Sequence, residues 1–202
     1  KSYAQAESLL RQAVAMNPGV NLGTKALVNT YGGQGKMKEA WEYATRSIDL
    51  NPSDYEAFQL AGQVLRNEGK CEEAVSYYER ALMLNPGDVE SARALADCYA
   101  RGHRYADAIN ALGKVLSRHP EEAELAHLQG ALLIQVGDFR RALAVVQPLL
   151  ERHPEDAGAH LLMAYIRAAG GDAAGARREA ERSLQLNPSD PQAKSLLESL
   201  PR

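Results

Sequence analysis

Only two of the 202 residues are cysteines, Cys71 and Cys98. A disulfide-stapled mini-fold and a zinc site held by cysteines each need more thiols than this. Long apolar runs are missing too, and no stretch approaches the roughly 18 residues of a membrane-spanning helix. Nor does one charge sign dominate. Lys and Arg number 23 against 26 Asp and Glu, a net charge of -3, so no large positive field exists to draw phosphate backbones or anionic lipid. Nucleic acid partners and direct membrane insertion are therefore not expected. The sequence has no G-x-G-x-x-G after a strand, no G-x-x-x-x-G-K-[ST] and no H-E-x-x-H. The histidines, at 103, 119, 127, 153 and 160, stand in no recognisable arrangement with a nucleophile or carboxylate. No catalytic residue, metal ligand or cofactor is expected. What is present is 45% hydrophobic and 24% charged residues, the balance of a folded soluble protein.

The sequence repeats. Prolines stand at Pro18, Pro52, Pro86, Pro120, Pro154 and Pro188, 34 residues apart each time and each preceded by Asn or His. Twelve residues before each proline is an alanine: Ala6, Ala40, Ala74, Ala108, Ala142 and Ala176. A small residue kept in phase marks a close helix–helix contact with no room for a larger side chain. Seventeen residues before the prolines stand Gly35, Gly69, Gly137 and Gly171, with His103 in the remaining unit. Glycine there supplies the left-handed turn that ends one helix and lets the next fold back. Each unit is thus two short helices, the first packing residues such as Leu27, Val28 and Tyr31, the second Met37, Ala40, Ala44 and Ile48. Ser53 with Glu56 and Ser189 with Gln192 fit capping boxes, and Asp88 and Asp156 can cap other helix starts.

These residues resemble the tetratricopeptide repeat family, a 34-residue helix-turn-helix with small residues at its helix contacts, glycine at the turn and proline near the end. The resemblance implies an all-α fold, a right-handed superhelical solenoid of antiparallel helix pairs, forming one continuous domain. Its parts are expected at residues 1–20 (the second helix of a truncated repeat), then repeats at 21–54, 55–88, 89–122, 123–156 and 157–190, then a capping helix at 191–202. Gln129 and Arg167 stand in columns that are apolar elsewhere and Pro148 falls inside a second helix, so looser packing or a bend is expected there. The strict period and acidic balance disfavour the RNA-reading pentatricopeptide relatives. The helix of Tyr3 to Met16 lacks its partner on the face bearing Leu9, Leu10 and Ala13, so the natural chain is expected to continue before Lys1, and self-association could cover that face. From Pro191 to Leu200, inward Ala193, Leu196, Leu197 and Leu200 suit a terminal cap.

Membership of this family implies a concave groove lined by first helices. The groove positions it implies here are Lys25, Asn29, Gln59, Leu60, Gln63, Arg66, Arg93, Asp97 and Arg101 in a polar first part. A later, apolar part comprises His127, Leu128, Ala131, Ile134, Leu161, Leu162 and Tyr165. Lys25 with Asn29 is similar to the start of the family's carboxylate clamp, but its other polar positions would fall at Leu60, Glu90 and Ala94, which do not fit. The function implied is a non-enzymatic scaffold that binds a partner protein's peptide or helix in this groove. Tight regularity and Ala- and Arg-rich later repeats look bacterial, where similar modules serve pilus assembly and exopolysaccharide secretion. The alternative is a regulatory or substrate-recruiting array of a larger enzyme such as a glycosyltransferase. Two buried thiols suit cytoplasm and periplasm alike.

Overall fold

A computed structural model describes residues 2–201, which form twelve α-helices and no strand. First comes α1 (Ser2–Met16). Five helix pairs follow: α2 (Asn21–Gly33) with α3 (Met37–Leu50), α4 (Tyr55–Asn67) with α5 (Cys71–Leu84), α6 (Val89–Arg101) with α7 (Tyr105–Leu116), α8 (Ala123–Gln135) with α9 (Phe139–Arg152), and α10 (Ala157–Ala169) with α11 (Ala173–Leu186). The last is α12 (Pro191–Ser199). They divide into two compact units, one up to Asp107 and one from Ala108 onward, with the division inside α7.

The turn within each pair is the same device five times. Backbone N–H groups reach back over the helix end, Lys36 to Tyr31, Lys70 to Leu65, Arg104 to Tyr99, Asp138 to Leu133 and Asp172 to Arg167. Closing that loop needs a left-handed residue. Gly35, Gly69, Gly137 and Gly171 supply it at φ between 74° and 80°. In the remaining turn His103 is forced to φ 57°, the one non-glycine with positive φ among the described residues. A side chain there costs about 1 kcal/mol. Its exposed contact with the Tyr105 hydroxyl, 3.1 Å from Nδ1, offsets little of this. His103→Gly is therefore expected to raise unfolding stability by about 0.5–1 kcal/mol, read as a higher midpoint in chemical denaturation. An unchanged or lower midpoint would mean that the imidazole contact outweighs the backbone strain.

Helix starts differ in one respect from the sequence expectation. Asp54 and Asp190, not Ser53 and Ser189, are the N-caps of α4 and α12, their carboxylates accepting from the N–H of Glu56 and of Gln192 and Ala193. A carboxylate adds charge complementarity to the helix N-terminus that a hydroxyl lacks. Asp88 and Asp156 cap α6 and α10 as expected. The asparagines before the prolines act in the turns between pairs, where Asn51 and Asn85 accept from the N–H two residues on.

Packing between paired helices follows size complementarity. A Cβ on Gly62 would lie 2.9 Å from the Tyr78 ring, and one on Gly130 would lie 3.0 Å from Val146. Where the first helix instead carries Val28, the second offers Ala44 in the same core. In the first unit that core joins Val14, Leu27, Tyr31, Leu60 and Val64. On α1, Leu10 packs against it, while Leu9 and Ala13 of the face expected to lack a neighbour are exposed. Glu7 anchors the same helix, accepting from Lys36 and Gln34 at 2.9 and 3.1 Å; these bonds hold its carboxyl below the ordinary value. In the second unit Leu161, Ala164, Ala176 and Ala180 pack with Ala193 and Leu196 of α12 and with Leu200 just after it, and Leu197 joins from the edge.

Within each unit the first helices also touch one another, α2 to α4 to α6, and α8 to α10 to α12. The second helices α3 and α5, or α9 and α11, have no comparable contact. First helices thus lie on the inner side of each stack, which makes their free faces the concave ones.

Candidate functional site

On the first helices of the leading unit, the polar residues implied by the sequence are engaged with their own neighbours. The Lys25 ammonium sits 2.8 Å from Asp54 and also pairs with Glu56. Burial by itself would lower its pKa, and the two carboxylates reverse this and raise it. Gln59 donates to Asp88 at 3.2 Å, Arg93 pairs with Glu90, and Asp97 lies between Arg66 (3.7 Å) and Arg101 (3.2 Å). Asn29 and Gln63 are exposed, and Leu60 is a core residue. A lysine held by two carboxylates of its own chain is poorly placed to clamp a third.

On the second unit's first helices Leu128, Ile134, Leu162 and Tyr165 are half-buried, Ala131 is exposed, and Leu161 belongs to the core. His127 bridges two acceptors, the Ala123 carbonyl from Nδ1 (2.9 Å) and Asp156 from Nε2 (3.0 Å). His160 does likewise, facing Glu179 and the Pro154 carbonyl. With both nitrogens committed, each ring acts as a brace between turns of the fold. Gln129, polar in an apolar column, is buried yet satisfied, because its Nε2 donates to the Ile109 carbonyl at 3.0 Å. Packing there is kept by a hydrogen bond. α9 runs without interruption through Pro148, which sits on its exposed side.

A larger opening lies elsewhere. Between α9 and α10 runs an open groove of about 870 Å³, with Phe139, Leu143 and Leu150 on one wall and Met163 and Ile166 on the other. Arg140, Glu151 and Arg167 rim it. None of these is among the first-helix positions implied by the sequence. One residue of its lining departs from the repeat. The column of Arg167 elsewhere holds Tyr31, Leu65, Tyr99 and Leu133, all buried. Both tyrosines reach the preceding second helix, Tyr31 to Glu7 of α1 and Tyr99 to Glu79 of α5. Arg167 instead turns its guanidinium to Asp172 (3.0 Å) and Glu179 (3.3 Å). Both carboxylates line the same groove, which stays open toward α9, where Leu143 is 40% exposed. Asp172, capping α11 through the N–H of Gly175 and paired with Arg167, has its carboxyl held below the ordinary value by those two contacts.

Residues 25–88, 65–132 and 133–200 each match a family model of the tetratricopeptide repeat. The chain belongs to the tetratricopeptide repeat family. Solved tetratricopeptide structures share its fold at low sequence identity. YrrB, described as a protein of this family with an unusual peptide-binding site, superposes with a TM-score of 0.79 at 17% identity, covering 94% of this chain and 97% of that one. For pilF of Pseudomonas aeruginosa the TM-score is 0.77 at 18% identity, covering 98% of this chain and 90% of that one. PilW, described as a widely conserved type IV pilus biogenesis factor, gives 0.72 at 20% identity over 96% and 90% of the two chains. No curated protein matches the chain in sequence. In tetratricopeptide terms the α9–α10 groove lies off the first-helix face, so the groove columns of the repeat do not reach it. Its signal is present in the sequence all the same, as an arginine in a column of buried apolar residues.

Proposed function

We propose that this chain is a non-enzymatic scaffold that binds a peptide or helix of a partner protein, and that the α9–α10 groove anchors it. The observation that carries the reading is the groove itself: apolar walls open to solvent between α9 and α10, with charges of both signs at the rim. Phe139, Leu143 and Leu150 offer contact to two or three apolar anchors, and Arg140 and Glu151 suit polar flanks. Micromolar affinity needs about -8 kcal/mol, within reach of a few buried anchors. A second reading places the partner on the first-helix face of the same unit, favoured by half-buried Leu128, Leu162 and Tyr165 beside exposed Ala131. For the wider setting we favour a bacterial assembly of the pilus-building or exopolysaccharide-secreting kind. The likeness to PilW, a type IV pilus biogenesis factor that shares this fold over most of both chains, supports the former.

Four baits separate the two faces: the unaltered chain, Leu143→Glu, Arg167→Tyr and the double variant Leu128→Glu/Leu162→Glu. Each is first shown to be helical by circular dichroism, then used for capture from native extract with mass-spectrometric readout. Leu143→Glu puts a charge in the groove, and Arg167→Tyr refills it with the residue type of the equivalent column. Both are expected to lose a partner that the unaltered chain and the double variant retain. Loss from the double variant alone moves the site to the first-helix face. Equal retention by all four overturns both readings.

A further inference from the structure

The two cysteines, one on each of two successive helices, come together. Cys71 is the first residue of α5 and Cys98 lies in the last turn of α6, and their sulfurs are 2.9 Å apart, both as free thiols. Their surroundings differ. Cys98 is 1% exposed. Cys71 is half-buried and lines a surface depression of about 320 Å³ together with Gly69, Lys70, Glu72, Glu73, Arg101 and Gly102. Solvent reagents therefore meet Cys71 first, and Cys98 only through it.

We propose that Cys71 and Cys98 form a thiol-disulfide exchange site, which a low-molecular-weight disulfide of the glutathione type oxidises to a bond pinning α5 to α6. In the first step Cys71, having given its proton to solvent, attacks as thiolate one sulfur of the oxidised reagent, forming a mixed disulfide and releasing one reduced thiolate that takes up a proton. Cys98 then attacks the Cys71 sulfur and expels the second reagent thiolate, which takes up the proton that Cys98 loses. Two protein thiols and one disulfide become one protein disulfide and two reduced reagent thiols, so atoms and electrons balance. The second step is intramolecular between adjacent sulfurs and needs no outside molecule to enter the core. Cys98 is out of reach of the reagent itself because it is buried, and burial, with the hydrogen bond to Cys71 added, also pushes its thiol up to about 12. Cys98 adjoins Asp97, whose carboxylate lies between Arg66 and Arg101. A bond here would therefore stiffen the step that carries this polar first-helix cluster.

The test exposes the native chain, Cys71→Ala and Cys98→Ala to oxidised glutathione, with intact mass and thermal unfolding as readouts. The native chain is expected to end two hydrogens lighter with no glutathione attached, and its Tm to rise by about 4 °C or more, reversed by dithiothreitol. Cys98→Ala should stop at one glutathione on Cys71, and Cys71→Ala should remain unmodified while folded. A native chain that keeps the glutathione adduct, forms covalent dimers or does not react would overturn the proposal. So would a Cys71→Ala variant that reacts as fast as the native chain.

Discussion

Tyr78→Ala is expected to cost about 3–5 kcal/mol, as for other large aromatic truncations in cores. Tyr78 is the largest fully buried side chain among the described residues, and its ring fills the hollow left by Gly62 on the paired helix. Truncation would leave that hollow facing a second one. Against the roughly 5–15 kcal/mol that holds a typical domain together, such a loss is a large fraction of the total. The ring and its hydroxyl have opposite effects. Burial drives the phenol well above its ordinary pKa, and its oxygen has no hydrogen-bond partner among the described residues. Tyr78→Phe keeps the ring and removes an unsatisfied polar atom, so stability should rise by about 1 kcal/mol. Urea denaturation of both variants reads the two signs directly. A Tyr78→Phe chain as weak as Tyr78→Ala would show that the hydroxyl is bonded after all.

Leu149→Ala should cost about 2–5 kcal/mol, with an effect confined to part of the chain. Leu149 is 1% exposed and packs with Ala126 and Ala159, supported by Leu116, Val145 and Leu150. How far Leu116, Val145 and Leu150 can close over the cavity sets where in that range the cost falls. In a repeat array each unit contacts only its neighbours, and stability is a sum of local terms. Hydrogen exchange should therefore speed up most in α8, α9 and α10 and least in α2 and α3. Uniform acceleration along the chain would contradict nearest-neighbour behaviour.

Periodicity by itself makes most of the fold legible. Prolines on a strict period, alanines in phase and glycines at the turns can be satisfied together only by repeated helix pairs, and even His103 stands out as a misfit in its column. These are local constraints: a left-handed φ, a tight helix contact and a missing N–H each leave a residue-type mark that the sequence carries openly. Caps are less legible, because Ser53 and Asp54 both qualify by type and only backbone geometry selects Asp54.

The site is legible in part. That Arg167 breaks an apolar column can be read from the sequence, and so can the expectation of looser packing around it. Where the arginine goes cannot. Its position depends on carboxylates placed by other elements, Asp172 at a helix cap and Glu179 further along α11, both of which line the same groove. The same holds for Lys25, Gln59 and Asp97: their types suggest a polar binding face, while only the stacking of one pair on the next shows that they bind neighbours within the chain. The sequence alone determined the repeat, its helices and its turns, because those depend on interactions a few residues apart. Tertiary structure alone decided which side chains are spent on internal pairs, which two thiols meet and which gap stays open. Those outcomes depend on residues of different helices meeting in space, as Cys71 and Cys98 do from 27 positions apart, and the repeat pattern does not mark such a meeting.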